Sequence, residues 1–477
     1  MNIKATYQKH PVDIFCNNPL TEALAIELDK NRLLEGVTRI VKVENFWELH
    51  EIYQGALLLE IRKTHIPIPQ FSAMYNKFIG LILNSYADRN PLLAKTAKLK
   101  HDIASCYRDP KAKFLETLTL TVTTAASVVI HGLSATGKTT GIRTVLSRID
   151  QVIEHENYND NVYRQQQLVW ISIDLPSTPS IKALALNFFL AVDIALKNTS
   201  YYQEWSSKAH MSVDLHLNAM AIVACTCEVG LVHIDEIQFL LKYPKNVNTP
   251  NLQIIEALFN KIGIPMVLST TTQGLEIFAA PNDKSETLQP DITTVRRMLS
   301  DREFKVDIIK RPSEHFNIIF KALFPGDLLH PGMIIDEAFV AKFYFLSCGL
   351  PAIMTRLAQL FHETVVQFVA GSKKLPSALV MLNSVYQNQF SIIAPSLRLL
   401  RANQPGLYET RLLEENSGKQ CYTNSEQKSL TKKAKKTLKA VMKGGGLEVD
   451  PHNPALSLDS PALATINGAN PNIGEAI

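Results

Sequence analysis

The 477-residue sequence contains no uncharged apolar run of the roughly 18–20 residues that a membrane-crossing helix needs. Its first residues, MNIKATYQKHPVD, lack the apolar core of a secretory leader, so a soluble intracellular chain is expected. Cysteine is scarce and scattered: Cys16, Cys106, Cys225, Cys227, Cys348 and Cys421. Only Cys225 and Cys227 are close, and one intervening residue is not the spacing of a zinc knuckle. Reduced, mostly buried thiols are expected instead. A charge imbalance is missing too: 49 Lys and Arg against 45 Asp and Glu leave a formal net charge of +4. Nucleic-acid binding therefore cannot be argued from the total, and any basic surface has to be local. No internal repeat of fixed period is visible. Beyond residue 444 the chain is poor in aromatics and rich in Gly, Pro, Asn and Ala, a composition that predicts disorder.

What is present is 46% hydrophobic residues, enough for a large core. Residues 1–112 read as helical, with apolar residues at helical spacing in LTEALAIELDKNRLLEG and NFWELHEIYQGALLLEIRKTH. Asn18-Pro19 and Asn90-Pro91 mark turns or helix starts. Over 113–310 the texture changes. Short β-branched runs at 125–132, 168–175, 229–236, 264–270 and, more weakly, 304–310 predict five strands, separated by amphipathic segments of 15 residues or more. Strands apolar throughout and separated by helices predict an α/β fold with a parallel sheet covered on both faces. Residues 311–412 return to helix. The remainder, 413–477, is a polar tail.

One motif stands out. Gly132-Leu133-Ser134-Ala135-Thr136-Gly137-Lys138-Thr139 satisfies G-x-x-x-x-G-K-[ST], follows a predicted strand and opens a predicted helix with Thr140 in its first turn. Glycines let the backbone curl so that successive N–H groups face phosphate oxygens, and the helix N-terminus adds partial positive charge. Lys138 would reach the β- and γ-phosphates and the Thr139 hydroxyl would help hold Mg²⁺. The apolar strand LVHID ends in Asp235-Glu236. An acidic pair there is suited to magnesium (Asp235) and to polarising an attacking water (Glu236). ATP and Mg²⁺ are the ligands this pairing calls for. His233, on the same strand, reads as a packed core residue.

The tail holds a second feature. Seven lysines, at 428, 432, 433, 435, 436, 439 and 443, fall on one side of a helix over 423–443, with Leu430, Ala434, Leu438, Val441 and Met442 on the other. Thr423 with Glu426 makes a capping box and Gly444 a stop. Such a helix suits DNA phosphates or an acidic partner.

The order of P-loop, Asp-Glu strand, polar strand end and helical lid resembles that of AAA+ ATPases. Within them the chain resembles the TnsC group, target-selection ATPases of Tns-type transposons related to TniB. The resemblance rests on NNPLTEAL (17–24), ADRNP (87–91), the P-loop, NFFLAVDIAL (187–196), LVHIDEIQFL (231–240), IGIPMVLSTTTQGLEIF (262–278) and FYFLSCGLPAIMTRLAQL (343–360). It implies an AAA+ core of five parallel strands between helices, a helical lid, a helical N-terminal region that binds partners, and a bacterial cytosolic location. It implies Ser269 and Thr270 as the sensor-one position and Arg356 as the lid's sensor-two arginine. Arg296, Arg297 and Arg302 become candidates for an arginine finger acting on a neighbouring subunit. Lys182, with Lys197 and Lys208, becomes a candidate for sequence-independent contact with double-stranded DNA. Partners would be further copies of the chain in a ring or filament, a transposase and a target-selecting protein, with no membrane. Initiator or loader AAA+ ATPases, STAND-type signalling ATPases and scaffolds that bind ATP without using it remain the alternatives.

Overall fold

The computed structural model describes residues 3–108, 126–176, 180–242, 254–255, 258–259, 262–278 and 302–416. One compact unit covers Met1–Leu412 and a second Leu413–Ile477. The basic segment 423–443 lies outside the described residues, as do Arg296 and Arg297.

Eight strands are present among the described residues: β1 (Ile3–Lys4), β2 (Ser127–His131), β3 (Val152–Tyr158), β4 (Asn161–Leu168), β5 (Trp170–Asp174), β6 (Leu231–Asp235), β7 (Met266–Thr270) and β8 (Arg302–Lys305). Five form one parallel sheet in the order β5-β6-β7-β2-β8. The five expected strands are these five, and the fold is the AAA+ P-loop architecture. Strands β2, β6 and β7 are buried at every residue, which is why they read as unbroken apolar runs. Side chains alternate between the faces. Val129, Val232, Ile234, Met266 and Leu268 pack with Phe188 and Val192 of the helix Ile181–Leu196 and with Met220 and Val223 of Val213–Thr226. Val128, Ile130, Leu231 and Val267 pack on the opposite face with Ile142 and Val145 of Lys138–Leu146 and with Phe78 and Ile82 of Phe71–Asp88. The N-terminal helix Phe71–Asp88 is thus one slice of the sandwich. Asn18 caps the helix Pro19–Glu22 by accepting from the Leu20 amide at 3.0 Å, and Asn90 accepts from Leu92 at 3.0 Å, as the two Asn-Pro pairs suggested.

Two local readings need correction. The stretch after the P-loop helix is not helical up to the second sheet strand. It contains the antiparallel hairpin β3–β4, which β1 joins in parallel as a three-stranded sheet. Asn159 and Asp160 carry φ of 46° and 63°, the left-handed pair that a two-residue hairpin turn demands. The weak strand at 304–310 is also shorter than its apolar pattern. It pairs with β2 only as far as Lys305. After it, the Val306 amide donates to His131 O at 2.8 Å and the Ile309 amide to Gly349 O at 2.9 Å, so the chain leaves the sheet toward the lid.

The lid helices Glu314–Leu323, Glu337–Ser347, Pro351–Ala370 and Ala378–Gln389 surround an aromatic cluster of Phe316, Phe324, Phe339, Phe343 and Phe361. Ser313 and Asp336 cap the first two by accepting from Phe316 and Phe339 at 3.1 and 2.8 Å. Val43, Phe46, Leu58 and Ile61 from the N-terminal region join this cluster. Gly349 (φ 67°) turns the chain between lid helices, and a Cβ there would sit 2.2 Å from Ile309 O. Cys225, Cys227 and Cys348 are buried free thiols; burial pushes the first two up to about 12. No helix among the described residues is long and apolar enough to cross a membrane.

His362 is buried in the lid, with Nε2 donating to Leu323 O at 2.9 Å, and burial pushes its imidazole down to about 4. Between pH 6.5 and 4 the unfolded chain binds a proton there that the native lid does not, so stability falls on acidification. The full effect is on the order of 3 kcal/mol. Urea midpoints at pH 7 and pH 5 should show this loss, and His362→Gln should make it shallower.

Candidate functional site

The sheet registers bring His131, Thr270, Asp235 and Asp174 to one edge, since His131 pairs with Thr270 and Asp174 with Asp235. In doubly wound sheets that edge is where ligands bind. β2 ends there and enters the loop 132–137. A Cβ on Gly132 would meet Val306 O at 2.2 Å, so only glycine lets the loop press against the exit of β8. Ala135 and Gly137 take φ of 69° and 91°, which turns consecutive amides toward the concave side. Thr136 Oγ1 locks the curve by donating to Leu133 O at 2.8 Å. The helix Lys138–Leu146 starts directly after it. Lys138 Nζ folds back across the loop and donates to Gly132 O and Leu133 O, both at 2.8 Å. Burial lowers its pKa, opposed by the charges of Glu409, Glu236 and Asp235 in that order.

Asp235 faces Lys138 from β6. It accepts from Ser269 Oγ, from the Glu236 amide at 2.9 Å and from the Thr139 hydroxyl. Burial would raise its pKa; His233 and these donors more than offset it, and the carboxylate is held below its ordinary range. His233 lies within a polar chain that crosses three strands. Its Nδ1 meets Ser172 Oγ at 2.8 Å and its Nε2 meets Ser269 Oγ at 3.0 Å. Because Ser269 gives its proton to Asp235, Nε2 carries a hydrogen and Nδ1 accepts from Ser172. Burial drives this imidazole down to about 4 against the pull of Asp235, so it is neutral. His233 is a support for the carboxylate, in line with its reading as a packed residue.

Glu236 adopts φ of 60°. Burial and then the Asp235 charge raise its pKa. Gln238 Nε2 donates to its carboxylate, while Gln238 Oε1 accepts from Thr270 Oγ1 at 3.2 Å and the Thr271 amide at 3.3 Å. Ser269 and Thr270 are at the strand end as expected, but each is tied to a member of the acidic pair, Ser269 to Asp235 directly and Thr270 to Glu236 through Gln238. Thr139 and Asp235 form an all-oxygen donor pair, which suits a hard divalent ion such as Mg²⁺. No cluster of three His, Cys, Asp or Glu capable of holding a metal by itself occurs among the described residues.

Beside the loop lies a cavity of about 630 Å³. Thr136, Gly137 and Thr140 form one wall; Pro351, Ala352, Thr355 and Arg356 of the lid form another; residues 62–70 close it. Thr64 Oγ1, His65 Nε2 and Gln70 Oε1 are buried and have no hydrogen-bond partner. The Arg356 guanidinium sits 5.2 Å from the centroid of the Phe390 ring, which carries it at the cavity rim.

The outlying candidates are placed differently. Lys182 Nζ donates to Ala209 O at 2.7 Å, and Lys208 pairs with Glu204 at 2.6 Å over the Trp205 ring. Lys197 caps the far end of the helix that Lys182 begins, about 22 Å away at 1.5 Å per residue. The three lysines do not converge on one point. Arg302 lies on β8. Sequence reasoning missed Gln238, the segment 64–70 and Glu409. Gln238 had a local signal, being two residues beyond the acidic pair.

The AAA domain family matches residues 121–278. No curated protein matches the chain. Among solved structures, a Walker-type ATPase of Pyrococcus abyssi aligns with 71% of this chain and 88% of its own at 12% identity and TM-score 0.30. The Aeropyrum pernix ORC2 protein in its ADP form aligns with 62% and 68% at 12% identity and TM-score 0.34. Drosophila ORC bound to DNA aligns with 74% and 83% at 8% identity and TM-score 0.31.

Ser269→Ala leaves His233 Nε2 and Asp235 Oδ1 each short of a partner in a buried setting. A stability loss of about 1–3 kcal/mol is expected from denaturant titration.

Proposed function

We propose that the chain is a magnesium-dependent ATPase that assembles with further copies of itself on double-stranded DNA and regulates DNA transposition. The observation that carries the catalytic part is the meeting of Lys138, Thr139, Asp235 and Glu236 at one sheet edge. The AAA domain match over 121–278 supports nucleotide binding. The part concerning transposition rests on the resemblance to the TnsC group.

On this reading the curled amides of 132–139 hold the phosphates, and Lys138 exchanges its two loop carbonyls for phosphate oxygens. Thr139 and Asp235 hold Mg²⁺, which supplies charge neutralisation on the triphosphate. Glu236, kept from full acidity by burial, accepts a proton from the attacking water once Gln238 lets it go. Bond formation from water to the γ-phosphorus and cleavage of the β–γ bridge give ADP and phosphate. The purine occupies the lid-side cavity, where Thr64, His65 and Gln70 have hydrogen bonds to give or take. Arg356 answers the phosphates from the lid. Arg296, Arg297 or Arg302 reaches a neighbouring subunit's nucleotide, which makes turnover depend on assembly. Lys182, Lys197 and Lys208 contact DNA phosphates, blind to sequence and sensitive to salt. A transposase and a target-selecting protein complete the partner set, in the bacterial cytosol.

Lys138→Ala should abolish ATP uptake measured by calorimetry in magnesium buffer. Glu236→Gln should keep uptake and cut turnover by about 10²–10⁴-fold, freezing the DNA-bound assembly. On this reading nucleotide binding also drives assembly on DNA, and normal DNA coating by Lys138→Ala with ATP overturns that part. Activity on DNA that requires one defined origin-like sequence points instead to an initiator or loader ATPase.

A further inference from the structure

The helix Pro405–Asn416 places Tyr408 and Glu409 side by side, each 2% exposed. Tyr408 Oη donates to Ser134 O at 3.2 Å, on the first half of the P-loop. Glu409 Oε1 accepts from the Thr272 amide at 3.3 Å and Oε2 from the Gln273 amide at 2.8 Å, just beyond the end of β7. Both oxygens are thus tied just past the end of β7, the neighbour of the strand from which the loop leaves. Burial raises the Glu409 pKa, and the amides of Gln273 and Thr272, the Lys138 charge and the Ser134 amide counter it. Among the charges acting on Lys138, Glu409 outranks both Glu236 and Asp235.

These contacts locate Glu409 relative to a bound nucleotide. The base cavity borders the second half of the loop, at Thr136, Gly137 and Thr140. Glu409 touches the first half, at Ser134, and its charge acts on Lys138 as those of Glu236 and Asp235 do. A phosphate chain running from the cavity along the loop therefore heads toward Glu409, and the last phosphate approaches it most closely. Like charges brought together in a poorly solvated pocket repel strongly.

We propose that Glu409 sets the preference of the site between nucleoside diphosphate and nucleoside triphosphate, holding, between the P-loop and the residues after β7, the place that a terminal phosphate must enter. This rests on reading the pocket as a nucleotide site. A diphosphate ends short of the carboxylate and leaves it in place. A triphosphate displaces it, and the helix Pro405–Asn416 moves with it. Glu409 is a specificity-determining residue, and the same displacement makes its helix a reporter of the third phosphate.

The test is calorimetric titration of the full-length protein with magnesium-ADP and with a slowly hydrolysed magnesium-ATP analogue. Wild type, Glu409→Gln and Tyr408→Phe are compared. Glu409→Gln is expected to bind the analogue about ten-fold more tightly, about 1.4 kcal/mol, with ADP affinity changed less than about two-fold. Tyr408→Phe, which loses a neutral hydrogen bond, should shift the ratio in the same direction by less. Retained ADP binding certifies the fold. Equal shifts for both nucleotides, or weaker analogue binding, overturn the proposal. Should Glu409→Gln bind no ADP, Tyr408→Phe decides: a changed ratio supports the proposal and an unchanged one overturns it. Wild type that takes up neither nucleotide overturns the underlying reading and the proposal with it.

Discussion

A parallel sheet buried on both faces leaves its polar backbone ends at only two edges, and the candidate site among the described residues gathers at one of them. The register aligns His131, Thr270, Asp235 and Asp174 there. The P-loop leaves from this edge, β6 ends on it at Asp235, and the lid is hydrogen-bonded to the residues that follow β8. If Ser269 slipped by one residue, its hydroxyl would point to the other face, and Asp235 and His233 would each lose one of their partners.

The polar chain from Ser172 through His233 and Ser269 to Asp235 shows how the edge is kept rigid. Each link has a donor and an acceptor assigned by its neighbour, so the protein alone fixes where the carboxylate points. Half-satisfied buried networks cost stability, whereas this one closes on itself. Glu236 has the opposite arrangement. It is held by a single amide group of Gln238, itself tied to the end of β7, and can change partner without disturbing the core.

Much of this was legible in the sequence because it is local. Five apolar runs became the five strands of the main sheet, and Gly132–Thr139 became the loop that its spacing requires. The hairpin β3–β4 was harder to see. Its strands are half-exposed and polar, as in NVYRQQQL, and only the Asn159-Asp160 turn announces it. Glu409 had no local signal at all: it lies some 270 residues from Ser134, and only packing of the last lid helix brings them together. The cavity wall at 64–70 was hidden for the same reason, since His65 and Gln70 sit in a stretch with no regular period. Lys182, a candidate for DNA contact, donates from its ammonium to the carbonyl of Ala209, a partner that residue type alone does not announce.

The Gly349 turn has a mechanical meaning. Its carbonyl receives the Ile309 amide, and its bare α-carbon allows the Ile309 carbonyl to approach where no side chain fits. That contact is a fulcrum. The cavity floor at Ile309 and Lys310 and the helix bearing Arg356 start from either side of it. A rotation about that contact would carry Arg356, seven residues along the chain from Gly349, through a wider arc than Ile309 beside the pivot.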